Sequence, residues 1–264
     1  MFHLKIKKRS YSTFRLAVLD AANLKKSKPE LVEKHNYSAL KDFRDCFGRV
    51  DPSIQLHHFK VYDNQFPSKV SDFDGYLISG SPHSAYDSLD WVQNLKQFVK
   101  SVTQDEEIKA PRLVGVCFGH QIISESLLPS SVGKSEKGWG IGAREINILH
   151  KFEWMEPFKS KVTLYLSHQD QVMNLSERAV HVGRSEFCEN DMSVWFSPSK
   201  ATPKAFSFQP HIEYSPPFLT DLYNSRRDLI ERFKEGRTDQ AIKELEKPAD
   251  NDVVTKWCVN FLKL

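Results

Sequence analysis

The stretch Leu113-Val114-Gly115-Val116-Cys117-Phe118-Gly119-His120-Gln121 constrains the fold of this chain more than any other. Its apolar first half reads as a strand, and residues 122–128 can continue as a helix. Between them, Gly-x-Cys-x-Gly permits a sharp strand-to-helix turn that leaves the cysteine strained and exposed, with the next backbone N–H free to face an oxyanion. A helix beginning at that turn sets its positive end beside the sulfur and favours the thiolate. The plainer alternative is a buried structural cysteine between two loop glycines.

The flanking pattern supplies the rest of an α/β fold. Apolar runs at 16–19, 54–61 and 76–78 read as strands. Between the first two, Leu40, Phe43, Cys46 and Phe47 have helical spacing, with Ser38 as N-cap. Over 89–102, Leu89, Val92, Leu95, Phe98, Val99 and Val102 share one helical face. Alternating strand and helix argue for a parallel sheet covered on both faces, with ligands at the carboxyl ends of its strands. From 143 to 208 the pattern changes to short strands at 145–149, 162–166, 180–182, 194–196 and 205–208, which reads as an antiparallel extension. Helical spacing resumes over 216–233 through Leu222, Leu229, Ile230 and Phe233. Residues 239–245 and 252–262 read as further surface helices.

With 264 residues and 40% hydrophobic content the chain suits one large domain. Its +3 charge comes from 37 basic and 34 acidic residues without a basic stripe, so nucleic acid is not an expected partner. Cys46, Cys117, Cys188 and Cys258 have neither CxxC nor metal-ligand spacing, which predicts free thiols and no metal. No apolar run approaches the ~20 residues that span a bilayer, so no membrane is expected. Residues 1–14 form a basic leader with Lys5, Lys7, Lys8 and Arg9 and no acid. The expected location is cytoplasmic, with mitochondrial import as the alternative reading of that leader.

A nucleophile needs a base. Residues 206–209 are apolar up to Gln209, and the chain continues Pro210-His211-Ile212-Glu213. At a strand end, His-x-Glu can present an imidazole to the thiol and a carboxylate to the other ring nitrogen. An α/β-hydrolase runs nucleophile, acid, histidine; here the histidine precedes the acid.

In these residues the chain resembles the class I (triad) glutamine amidotransferase family over about 15–235. Four ordered blocks carry the likeness: Ile78-Ser79-Gly80-Ser81-Pro82-His83-Ser84, the elbow, Ser167-His168-Gln169-Asp170-Gln171-Val172, and His211-x-Glu213. The resemblance implies a flavodoxin-like three-layer fold, its mostly parallel sheet carrying an antiparallel extension. It implies catalysis by Cys117, His211 and Glu213, an oxyanion site at Gly80, Ser81 and Phe118, and substrate contacts from Gln121, His168 and Asp170. His168 read alone could be a satisfied structural histidine, and Asp170 a turn cap. The implied chemistry is cleavage of a γ-glutamyl amide, in glutamine or a short γ-glutamyl peptide, through a thioester and without a cofactor. Lys137-Gly138-Trp139-Gly140-Ile141-Gly142 is similar to free-standing γ-glutamyl peptidases, so a stand-alone hydrolase is expected. The alternatives are a glutaminase subunit serving a separate synthetase, or a non-catalytic binding module. One departure stands out: Ile212 occupies the place where the family usually has proline. Residues 236–264 are expected to be a helical extension of the same domain.

Overall fold

A computed structural model describes residues 13–108 and 110–264; most of the basic leader expected over 1–14 lies outside them. The first half runs β1 (Phe14–Asp20), α1 (Leu24–Ser27), α2 (Pro29–His35), α3 (Ala39–Val50), β2 (Ile54–Lys60), β3 (Gly75–Ile78), α4 (Asp90–Thr103), β4 (Arg112–Val116) and α5 (Phe118–Leu127). Next come β5 (Val132–Lys134), β6 (Gly140–Ile148), β7 (Lys161–His168), β8 (Asp170–Val172), β9 (Ala179–Arg184), β10 (Met192–Phe196) and β11 (Pro203–Phe208). The chain closes with α6 (Pro216–Asn224), α7 (Arg227–Glu231), α8 (Arg237–Glu244) and α9 (Asn251–Leu262).

Nine strands form one sheet in the order β2-β1-β3-β4-β11-β10-β9-β6-β7, and β5 pairs with β8 separately. From β2 to β11 all neighbours are parallel; from β11 to β7 all are antiparallel. Helices cover both faces, as a buried parallel sheet requires. On one face Phe43 and Phe47 of α3 meet Trp257, Phe261 and Leu262 of α9. Opposite them, Val92, Leu95 and Val99 of α4 pack with Ile122 and Ile123 of α5. Ser38 caps α3, its side chain accepting from the Lys41 N–H.

Three expectations need correction. Strand 205–208 belongs to the parallel half as well as to the extension, because β11 lies parallel to β4; all six of its residues are buried, so both its faces are covered. The helix expected over 216–233 breaks at Ser225-Arg226 into α6 and α7, with Arg226 at φ −120° and ψ 10°. Residues 252–262 are no surface helix, since Val254, Trp257, Cys258, Phe261 and Leu262 of α9 are all buried. The apolar residues of α9 are spread over too wide an arc for one side of it to face water. The helix after the elbow begins at Phe118, directly behind the cysteine.

Candidate active site

Cys117 ends β4 and caps α5 at φ 52° and ψ −102°, a backbone region that a residue with a Cβ rarely occupies. The surroundings hold it there. Its N–H donates to Phe208 O at 2.9 Å, and its carbonyl accepts from Gln121 N at 3.1 Å. Gly119 lies so close to the Ile78 carbonyl that a Cβ there would collide with it, so the turn closes only on glycine. Cys117 is 5% exposed, so its side chain is buried rather than open as the motif suggested. The other cysteines are deeply set: burial, with Glu213 adding to it, pushes the Cys46 thiol up to about 12, and burial raises Cys188 and Cys258 well above the usual range.

β11 ends beside β4 and delivers Gln209 and His211. Gln209 Nε2 lies 3.6 Å from Cys117 Sγ. His211 Nδ1 lies 2.6 Å from Glu213 Oε1, and the Ile212 N–H donates to Glu213 Oε2 at 3.0 Å. The departure from proline therefore supplies a donor that proline lacks. Burial pulls the His211 pKa down, but Glu213 and Cys117 act in the opposite direction and prevail, pushing it up to about 10. Tyr214 stacks on the imidazole at 4.1 Å and 18°. The His211 N–H donates to Tyr165 O at 2.9 Å, fixing the backbone beneath the ring.

The loop after β3 closes the other side. A Cβ on Gly80 would stand 2.9 Å from His211 Cε1 and 3.7 Å from Cys117 Cβ. The Ser79 hydroxyl accepts from Ala21 N at 2.9 Å and donates to Gly80 O at 3.0 Å. In a trans peptide the Ser81 N–H points opposite to that carbonyl, so Ser79 sets its direction.

Gln121, His168 and Asp170 come together one layer behind the nucleophile. Gln121 Nε2 donates to Asp170 O at 2.7 Å and to Gln209 Oε1 at 3.2 Å. Asp170 Oδ2 accepts from Ser84 Oγ at 2.6 Å. His168 Nδ1 donates to Asp170 O at 3.0 Å, its Nε2 is buried without a partner, and burial drives its pKa down to about 3. His120 is likewise buried, between Ser207 Oγ and Asn190 O, with its pKa brought down by burial to about 4.

Beside Cys117 lies a cavity of about 20 Å³ whose lining includes Ala22, Gly80, Ser81, Ser167, His211 and Arg226. None of Gln121, His168 and Asp170 lines it. A larger cavity of about 390 Å³ opens on the far side of Glu213, but neither Cys117 nor His211 lines it. Arg226 was not legible in the sequence as a site residue. Its Nη1 donates to Ser167 Oγ at 3.2 Å, its guanidinium lies 5.3 Å from the Trp139 ring centre, and no carboxylate pairs with it among the described residues. Gln209 had a weak signal, two residues before His211; Arg226 had none beyond its charge.

Comparison with known proteins bears on the family and the fold. The family model described as glutamine amidotransferase class-I matches residues 38–218. Gamma-glutamyl peptidase 3 of Arabidopsis thaliana is 31% identical over 244 residues, covering 89% of this chain and 92% of that protein. Gamma-glutamyl peptidase 2 of the same plant is 28% identical, covering 84% and 86%. The crystal structure of a glutamine amidotransferase from Thermotoga maritima superposes with a TM-score of 0.68 at 15% identity, covering 96% of this chain and all of that one, a likeness of fold.

Proposed function

The chain belongs to the class-I glutamine amidotransferase family, and on that premise we propose that it is a cysteine hydrolase of γ-glutamyl amides that works without a synthetase partner. The observation that carries this reading is the Cys117–His211–Glu213 arrangement at the end of two adjacent parallel strands. His211 takes the thiol proton, and the sulfur attacks the γ-carbonyl. The Phe118 and Ser81 N–H groups, at a helix start and in the loop oriented by Ser79, receive the developing oxyanion. His211 then protonates the leaving amine, and it next removes a proton from the water that hydrolyses the thioester. Glu213 holds the imidazole by Nδ1 throughout and stabilises its charge. Gln121, His168 and Asp170 act from behind the cavity, where Gln121 holds Gln209 and both Gln121 and His168 donate to Asp170 O.

Arg226 favours a substrate that brings a carboxylate, because an arginine beside the nucleophile and without an acidic partner is a ready anion receptor. The 31% identity to a gamma-glutamyl peptidase across nearly the whole chain supports peptides over free glutamine. A cavity of about 20 Å³ is smaller than the ~300 Å³ at which ligand pockets begin, so a γ-glutamyl group enters with movement of Leu24, Pro82 or Arg226 at its walls.

The test is hydrolysis by the purified chain of glutamine, a γ-glutamyl dipeptide and glutathione, together with intact mass of the protein during turnover. Turnover of a γ-glutamyl peptide above glutamine is expected, with one glutamyl group trapped on Cys117 and none on Cys117→Ala. Absence of turnover on all three, with no trapped acyl group, would overturn the proposal.

A further inference from the structure

A third cavity, of about 180 Å³, lies between β6 and the α7–α8 pair, away from Cys117. The loop 137–140 that leads into β6 forms one wall, and residues 230–240 form the other. Its cationic lining consists of Lys137, Arg144, Lys234 and Arg237, and no acidic side chain lines it among the described residues. Glu244 stands beside it and is shared: Arg144 Nη1 and Arg237 Nη2 both donate to its Oε2. Four cations thus face one carboxylate.

Arg237 Nη1 is buried and has no acceptor, although the side chain is only 11% exposed. Burial and the neighbouring Arg144 both act against its charge. A buried charged donor without a partner is an exception that calls for one. Lys137 Nζ reaches only the backbone carbonyls of Glu186 and Phe187, at 2.7 and 3.2 Å.

Aromatic rings complete the walls. Trp139, Phe187 and Phe233 line the cavity, and Phe233 lies against Gly138, whose φ of 82° and lack of a Cβ let the ring approach. The volume far exceeds the ~30 Å³ that one water occupies in the liquid, so it admits an anion together with part of the molecule that bears it. The family match ends at residue 218, and the α7–α8 wall lies beyond it.

We infer that this cavity binds a phosphate group, either free or carried as the monoester of a small flat compound that rests on the aromatic walls. The excess of three positive charges selects a dianion over a monocarboxylate, and paired guanidiniums match the oxygens of phosphate. A phosphomonoester carries about −1.5 to −2 near pH 7. Trp139 also stacks on Arg226, so the occupied cavity adjoins the wall of the catalytic one.

Calorimetric titration of the full chain at low ionic strength with orthophosphate, phenyl phosphate and benzoate tests this. Phenyl phosphate is expected to bind one per chain, with benzoate at least tenfold weaker. Orthophosphate binding as tightly as phenyl phosphate would assign the site to free phosphate, and weaker orthophosphate binding would assign it to a monoester. Lys137 and Lys234 are both exposed, so the double variant Lys137→Glu, Lys234→Glu should keep its melting temperature and lose binding by tenfold or more. Failure of both phosphates to bind at millimolar concentration would overturn the assignment. Equal binding of benzoate, or undiminished binding to the double variant, would overturn it as well.

Discussion

Replacing Glu213 by glutamine keeps the volume of the side chain and removes its charge. In the parent, both neighbours of the carboxylate are donors, the imidazole Nδ1–H at 2.6 Å and the Ile212 N–H at 3.0 Å. A carboxylate accepts from both. A glutamine amide accepts at its oxygen only, so its NH2 group must face one of the two donors. At an effective dielectric near 20, opposite charges about 4 Å apart attract by about 4 kcal/mol, equivalent to about three pKa units. That agrees with a His211 pKa pushed up to about 10 against the opposing effect of burial. Glu213→Gln should therefore bring the imidazole down to about 7, leaving most of it neutral at pH 7.5.

Three measurements follow from this. The His211 ring titration, by NMR on histidine-labelled protein, should fall by about three units. Alkylation by iodoacetamide reports the nucleophile selectively, because Cys46, Cys188 and Cys258 are buried with raised pKa values. Its rate at pH 7.5 should fall by about fourfold, the share of imidazolium lost when the pKa drops from about 10 to about 7, and kcat/KM on a γ-glutamyl anilide by up to about 10,000-fold, the loss seen when the acid of a triad is neutralised. A variant that keeps the parent His211 titration and kcat/KM within about tenfold would refute the electrostatic role assigned to Glu213.

Other perturbations probe separate parts of the site. Gly80→Ala places a methyl group 2.9 Å from His211 Cε1; displacement of the ring by a few tenths of an ångström should lower kcat/KM by about 10 to 100-fold with little change in melting temperature. Arg226→Met keeps length but removes the charge and the bond to Ser167. It should raise KM for γ-glutamyl dipeptides by about ten to a hundredfold with a smaller change in kcat, measured against a γ-glutamyl anilide, whose leaving group has no carboxylate. His120 is kept neutral in the fold, so its contribution to stability is present above about pH 6.5 and is lost as pH falls toward about 4. Urea titrations at pH 6.5 and 5 should show the parent losing about 2 kcal/mol more than His120→Gln over that interval.

The elbow was legible because its geometry demands particular residues: Gly119 cannot carry a Cβ against the Ile78 carbonyl, and a strand must lead into Cys117. His211 and Glu213 were legible once a nucleophile needed partners at a neighbouring strand end. Arg226 was not, because its role depends on the break between α6 and α7, and nothing in 216–233 marks that break against continuous helical spacing. The depth of α9 was missed for a related reason. Its apolar residues spread too far round the helix for a surface position, a width that helical spacing by itself does not register, and Trp257 and Phe261 fill the core beside α3. Nor did sequence indicate that Ile212 would donate to Glu213, since a backbone N–H is common to every residue except proline.

The antiparallel extension has a part in the site that its distance in sequence conceals. Strands β3, β4 and β11 are adjacent and parallel, with Ile78 opposite Gly115 and Phe208 opposite Val116, so the loops after all three leave the sheet at one edge. Gly80, Cys117 and Gln209 follow within two residues of those ends and meet whatever the helices do. His211 lies one step further out, beyond the last ladder pair of β11. It is held by an isolated bridge to Tyr165 on β7, the far edge strand of the same sheet. The extension therefore curls back far enough to grip the base from behind, while the Tyr165 hydroxyl donates to Lys247 O at 3.1 Å and ties that grip to the C-terminal segment. A substitution that loosened β7 without touching the cavity would free the imidazole to turn, whereas the cysteine, clamped between Phe208 and Gln121, would stay where it is.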